Sequence, residues 1–273
     1  MKSIIIKAFP SLTDKEISKI HSLIGDKCND FYFVDFLRCT NCNIDDAYKF
    51  FKFDEELRSL LLKYILRFEI QIKSDLMSCL IKETNDLYFW RNERNYIFKS
   101  TAEYEHLMQK IQESFQNINV PFGERNSFAV AYVISFGTFV SMFKYLNPSL
   151  KTGFIKKYSK WLKNKDDYLL LYKYLLCLRA LRNRCAHGSH IVSNSFVNQL
   201  NQYSFITKQE NTGEKYFGYS VFELTLKYLI NSIYCKEEFK ERLLKLLNKY
   251  RSVYSQYGGR QSINPLIIER IRK

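Results

Sequence analysis

Hydrophobic positions recur every three or four residues along most of this chain, a spacing that predicts helices. The clearest run opens at Asp54 and extends to about Lys82. Leu57, Leu61, Tyr64, Ile65, Phe68, Ile72, Leu76 and Cys79 fall, at 100° per residue, within an arc of about 120°. Arg58 and Glu69 lie inside or at the edge of that arc. Buried charges are costly unless paired, so each is expected to meet a partner on another helix or to reach water at the rim. Lys73 is expected on the polar face. Upstream, Ser11 or Thr13 caps a helix, with Glu16 three residues after Thr13 as in a capping box. Ile17, Ile20, Leu23 and Ile24 follow at helical spacing, and Gly25 stops the run. Asn29 to Phe36 is aromatic-rich and fits either a helix or a short strand.

Downstream, a helix is predicted from Ser100 to Phe115, and Pro121-Phe122-Gly123 breaks it. Ser127 to Tyr145 reads as one apolar helix containing Ser135-Phe136-Gly137. A mid-helix glycine costs about 1 kcal/mol relative to alanine, so close packing against a neighbour is its usual reason. Asn147-Pro148 ends that element. Asp166 to His187 is a further helix with Gly188 as its stop, and Val221 to Ile233 and Glu237 to Tyr254 are the last two. Phe205 to Tyr219 alternates loosely around Asn211-Thr212-Gly213 and reads as a β-hairpin or a loop. There is no internal repeat and no clear linker. Residues 1–273 therefore read as a single, mainly all-α domain, with a distinct N-terminal segment 1–49 and a basic C-terminal tail 258–273.

Composition agrees with this pattern. At 46% hydrophobic and 16% aromatic the chain belongs with folded globular proteins. Only 9 Gly and 4 Pro are present, too few for a turn-dense all-β fold. The longest apolar stretch, Tyr168 to Leu181, is interrupted by Lys173 and Arg179, so no membrane span is expected. Ile4-Ile5-Ile6 is too short for a secretory signal, and the 7 cysteines are odd in number and scattered. Both point to reduced thiols and a cytoplasmic location. Cys39-Thr40-Asn41-Cys42 has CxxC spacing, but no second ligand pair follows it. No metal or other cofactor is expected.

The net charge of +14 changes the picture because it is uneven. Residues 144–184 hold 11 Lys/Arg against 2 Asp, and residues 236–273 hold 10 against 4 acidic residues, while the rest of the chain nearly balances. Clustered positive charge is either a solvated surface or the footprint of a polyanion. Lys144, Lys151, Lys156, Lys157, Lys160, Lys163 and Arg179 are the candidates to bind RNA.

At the end of that basic segment stands Arg182-Asn183-Arg184-Cys185-Ala186-His187. Histidine exchanges protons near neutral pH and arginine is a fixed partner for phosphate, so the pair suggests phosphodiester chemistry. Arg-x4-His would arise by chance roughly 0.2 times at this composition, so the spacing is weak by itself. Its alternative is a helix C-terminus whose basic side chains complement the macrodipole.

The neighbourhood adds specificity. Phe50-Phe51-Lys52-Phe53-Asp54-Glu55-Glu56-Leu57-Arg58 leading to Arg67-Phe68-Glu69 resembles the first core helix of the Abi family of phage-defence, abortive-infection proteins. Ile134-Ser135-Phe136-Gly137 is similar to that family's Ser-Phe-Gly segment. Leu178-Arg179-Ala180-Leu181-Arg182-Asn183-Arg184-Cys185-Ala186-His187 is similar to its Leu-Arg-Asn-x-x-Ala-His block. Two departures stand out: residues 1–49 lack an expected Tyr-Arg-Leu-type segment, and Lys73 stands where relatives often carry arginine. The resemblance implies a HEPN-type helical bundle and RNA cleavage, as in related abortive-infection toxins and the nuclease parts of Cas13 effectors.

On that reading cleavage is metal-independent, with the RNA 2′-OH attacking the adjacent phosphate to leave a 2′,3′-cyclic phosphate. His187 moves a proton, Arg182 neutralises the phosphate, and Asn183 orients the imidazole or contacts RNA. Glu69 fixes Arg182 from the facing helix. Arg58, Arg184 and His190 are supporting candidates, with an exposed loop histidine as the alternative for His190. One histidine does not readily serve as both acid and base, so a homodimer with a shared site is expected. RNA enters as substrate and as a small non-coding antitoxin that restrains the toxin. The competing functions are a non-catalytic binder of structured RNA and a helical protein–protein adaptor.

Overall fold

The computed structural model describes residues 13–24, 33, 37, 43–158, 168–192, 196, 199, 200, 202, 221–253 and 271–272. Among these the chain is helical, without a strand. The elements are α1 (Asp14–Ile24), α2 (Ile44–Thr84), α3 (Thr101–Asn117), α4 (Ser127–Val133), α5 (Phe136–Tyr145), α6 (Pro148–Tyr158), α7 (Tyr168–Ala186), α8 (Val221–Ser232) and α9 (Lys236–Lys249). The expected hairpin at 205–219, the CxxC pair and the 258–270 part of the tail lie outside the described residues. No helix among the described residues is long and apolar enough to cross a membrane.

The spine is α2, whose 41 residues span about 60 Å at 1.5 Å each. It begins ten residues earlier than its periodic stripe suggests. Asn43 is the cap, its side chain accepting from the Asp46 amide at 3.0 Å, and Asp54 is an interior residue. Helices α1, α4, α6, α7, α8 and α9 all pack on this spine. The buried stripe Leu57, Leu61, Ile65, Phe68, Ile72 and Leu76 forms the centre of one continuous core. Thr13 and Glu16 make the reciprocal capping-box bonds at the start of α1.

The predicted helix from Ser127 to Tyr145 is two helices. The chain breaks at Ile134-Ser135, and the Ser135 hydroxyl caps α5 by accepting from the Thr138 amide at 3.1 Å. Gly137 therefore lies in the first turn of α5, where α5 meets α7. A Cβ placed on it would meet Ser135 Oγ at 3.6 Å and Arg179 Cδ at 3.8 Å, both ordinary contacts, so the close packing expected of this glycine is not found. The α7 helix ends at Ala186, and Gly188 leaves it with φ 72°, the left-handed conformation that glycine adopts without strain.

Candidate active site

Arg179, Asn183 and His187 stand on successive turns along one side of the C-terminal half of α7. They line an open cleft of about 560 Å³ together with Gly137, Arg184 and Ser189. Asn183 and His187 are exposed, and the His187 amide donates to the Asn183 carbonyl at 3.0 Å, which carries the helical bonding through to the histidine. The cleft thus presents an imidazole, an amide and a guanidinium to solvent. Such a set can accept an anionic group and move a proton beside it.

Arg182 is oriented by α2. Its Nε is buried and lies 3.6 Å from Glu69 Oε2, an ion-pair distance rather than a hydrogen bond. The side chain remains 30% exposed, but Arg182 is not among the residues that line the cleft. The partner expected for Glu69 on a facing helix is thereby present. Glu69 is itself buried and also accepts from Lys73 Nζ at 3.1 Å.

Lys73 departs from its expected place on the polar face. It is 6% exposed and also donates to the Ile134 carbonyl at 2.8 Å. The break between α4 and α5 explains this, because it leaves a carbonyl inside the fold where an ammonium can reach it. A polar chain therefore runs from Ile134 through Lys73 and Glu69 to Arg182. It joins the Ser-Phe-Gly segment, the spine and the Arg/His motif.

A second buried cluster anchors the chain just beyond His187. Asp54 is fully buried. Its Oδ1 accepts from the Ile191 and Val192 amides at 2.9 and 3.1 Å, and its Oδ2 from Arg58 Nε at 2.7 Å, with His190 Nδ1 at 3.3 Å. Arg58 is thus paired within its own helix, not across to another. His190 is neither an exposed loop histidine nor a second cleft histidine. It is buried against Asp54, with its ring edge-on to Phe51. Arg184 is engaged structurally, donating to Gln199 Oε1 and the His190 carbonyl and stacking 5.1 Å from the Phe196 ring. Burial depresses its pKa, with Asp54 pulling the other way. Asp54 is the site residue that the sequence pattern did not mark, because it reads there as a helix opener. The signal was present in the Asp54–Arg58 spacing of four residues, which on a helix makes an ion pair.

The proposed RNA contacts divide. Lys144 and Lys156 are exposed, Lys157 is exposed but held by Asp75 at 2.6 Å, and Arg179 is half-buried in the cleft wall. Lys151 is 1% exposed, so it adds no charge to the outer surface. Lys160 and Lys163 lie outside the described residues. Cys185 adjoins the motif, but burial pushes its thiol up to about 12, with Asp54 adding to the shift.

Comparison with curated proteins and with solved structures gives no match. A sequence profile described as "Abi-like protein" matches residues 30–193, which contain the spine, the Ser135-Phe136-Gly137 cap and the whole Arg182–His187 motif. This chain belongs to the Abi-like protein family.

Proposed function

We propose that the protein is a metal-independent endoribonuclease of the HEPN type, acting in the cytoplasm as an abortive-infection toxin. The observation that carries this reading is convergence. Two of the three Abi-like blocks, Ile134–Gly137 and Leu178–His187, meet at one open cleft, with His187, Asn183 and Arg179 on its wall, and the third, from Phe50 to Glu69, supplies the carboxylate that pairs with Arg182. A stabilised helix end would need the basic residues alone. It would not need a buried carboxylate to aim one of them.

In the proposed reaction the RNA 2′-oxygen attacks the adjacent phosphorus while its proton passes to a base. The bond from phosphorus to the 5′-oxygen breaks, and the departing 5′-oxygen takes up a proton. The products are a 2′,3′-cyclic phosphate and a 5′-hydroxyl. Arg182 neutralises the charge that builds on the phosphoryl oxygens, and His187 carries one of the two proton transfers. His190, held by Asp54, is not placed for the other. A second copy of the chain, contributing its own His187 across a two-fold axis, supplies it. A bound RNA restrains the toxin at rest.

The test is incubation of total RNA with the wild type, Arg182→Ala and His187→Ala in EDTA, followed by end mapping. Cyclic-phosphate ends that disappear in both variants support the proposal. Variants that cut as well as wild type overturn the site assignment. A monomeric mass at a concentration that still cleaves overturns the shared site.

A further inference from the structure

About 25 Å from His187, toward the N-terminal end of α7, lies a separate cavity of about 300 Å³. A single antiparallel bridge builds its wall. Tyr96 pairs with Leu146, and the Ile97 amide donates to the Tyr145 carbonyl at 2.7 Å, holding the segment before α3 against the end of α5. Four rings face the space: Phe98, Tyr145, Tyr168 and Tyr172. Tyr168 and Tyr172 are one turn apart on α7, and Tyr168 is exposed at the rim. Lys99 and Lys144 are exposed and also line the cavity.

Lys151, from the first turn of α6, is the unusual member. Its buried ammonium donates to the Lys144 carbonyl at 3.2 Å and lies 4.5 and 5.1 Å from the Tyr168 and Phe143 rings. No carboxylate pairs with it among the described residues. Among the described residues, Glu103 reaches this region and accepts from the Tyr145 hydroxyl and the Lys99 amide. A buried cation that faces a cavity with no carboxylate beside it among the described residues is costly, and an arriving anion removes that cost. Flat rings beside cations are the means by which proteins hold bases and phosphates together. The volume, at the small end of ligand pockets, suits one nucleotide and not a lipid or a dinucleotide.

We propose that this cavity binds a single nucleotide, its base against the Tyr168/Tyr172 wall and its phosphate toward Lys151. That nucleotide is either free or one unit of an RNA chain whose scissile bond lies at His187. Only the second source rests on the ribonuclease reading. Burial lowers the Lys151 pKa to about 8, and a phosphate favours its charged form, so affinity is expected to fall above that pH. The other titratable groups at the cavity are Lys99, Lys144, Tyr145, Tyr168 and Tyr172, with Glu103 behind Tyr145. Of these, Lys144 and Tyr172 are held above their usual values, Lys144 by the Tyr145 hydroxyl and Tyr172 by burial.

The experiment is calorimetric titration of the full chain carrying His187→Ala, which spares the RNA, with AMP, adenosine, inorganic phosphate and a single-stranded pentaribonucleotide. Binding of AMP, weakened at least tenfold by Lys151→Met and about tenfold by Tyr168→Leu, identifies a free-nucleotide site. The same pattern with the pentanucleotide alone identifies an RNA subsite. Either result is expected to weaken about tenfold per pH unit above pH 8 in the parent and not in Lys151→Met. Lys151→Met should unfold at or above the parent temperature, since a neutral side chain fills the same space without a buried charge. Tyr168→Leu, at the rim, keeps the test open if Lys151→Met misfolds. Binding that neither variant changes, or phosphate binding as tightly as AMP, overturns the proposal. Because the nuclease is scored by end mapping of total RNA, its failure and the failure of this cavity are separately visible.

Discussion

Replacing Asp54 by alanine is expected to destabilise the protein more than any other single change at a polar residue near the cleft. Its two oxygens serve two backbone amides and one guanidinium, all buried or nearly so, and hold His190 in place. Removing one partner of a buried pair costs about 3–5 kcal/mol. An orphaned buried amide costs about 1–3 kcal/mol more, and local rearrangement recovers part of the sum. A net loss of about 5 kcal/mol corresponds to a melting temperature lower by about 10–15 °C in a domain of this size. Asp54→Asn separates the contributions. It keeps a carbonyl oxygen for Ile191 and Val192 but takes the negative charge from Arg58, so a loss of about 2–3 kcal/mol is expected. Both variants should also cut RNA more slowly at 25 °C, where they remain folded, because the anchored segment follows His187 directly. Scanning calorimetry with a parallel cleavage assay reads both effects. A melting temperature for Asp54→Ala within 2 °C of wild type, or equal losses for the two variants, would refute the anchoring argument.

Three further outcomes follow from the same geometry. Lys73→Met leaves the Glu69 carboxylate buried with Arg182 alone at 3.6 Å and is expected to cost about 3–5 kcal/mol, of which Glu69→Gln in the same chain restores more than half; additive losses in a denaturation cycle would contradict the pairing. Gly137→Ala meets only ordinary contacts at 3.6 and 3.8 Å, so stability should change by less than about 1 kcal/mol. Gly137→Leu should instead block the cleft and reduce cleavage at least tenfold while the circular dichroism spectrum stays unchanged. Burial raises Cys177 and Cys185 to about 12, which keeps both as neutral thiols at pH 8. Iodoacetamide followed by mass spectrometry should find them unmodified in the native protein and modified in guanidinium; native labelling of either would show that the core opens at α7.

Which parts of this architecture could be read from the sequence depends on whether a residue's environment is local. The Thr13/Glu16 box, the Leu57–Leu76 stripe and the Gly188 stop are set by neighbours within one or two turns, and the structure keeps all three. The start of α2 escaped because Phe50, Phe51 and Phe53 are all buried, so that end of the helix is packed on several sides and shows no clean stripe. Lys73 escaped for a tertiary reason. Its partner is a carbonyl freed by a helix break sixty-one residues away, and a helical wheel shows nothing of that. Even the break had a local mark, since Ser135 followed three residues later by Thr138 has the form of an N-cap. An apolar run on both sides hid it. Within the motif, spacing alone could not separate the three basic residues Arg182, Arg184 and His187. Helical geometry turns Arg182 toward Glu69, Arg184 toward Gln199 and the His190 carbonyl, and His187 to the open cleft. The same geometry sets the order of sensitivity to be expected at this end of α7. Substitution at Arg184 or His190 should first cost stability, substitution at Asn183 or His187 should cost chemistry alone, and Arg182, tied to the core on one side and exposed on the other, should show both.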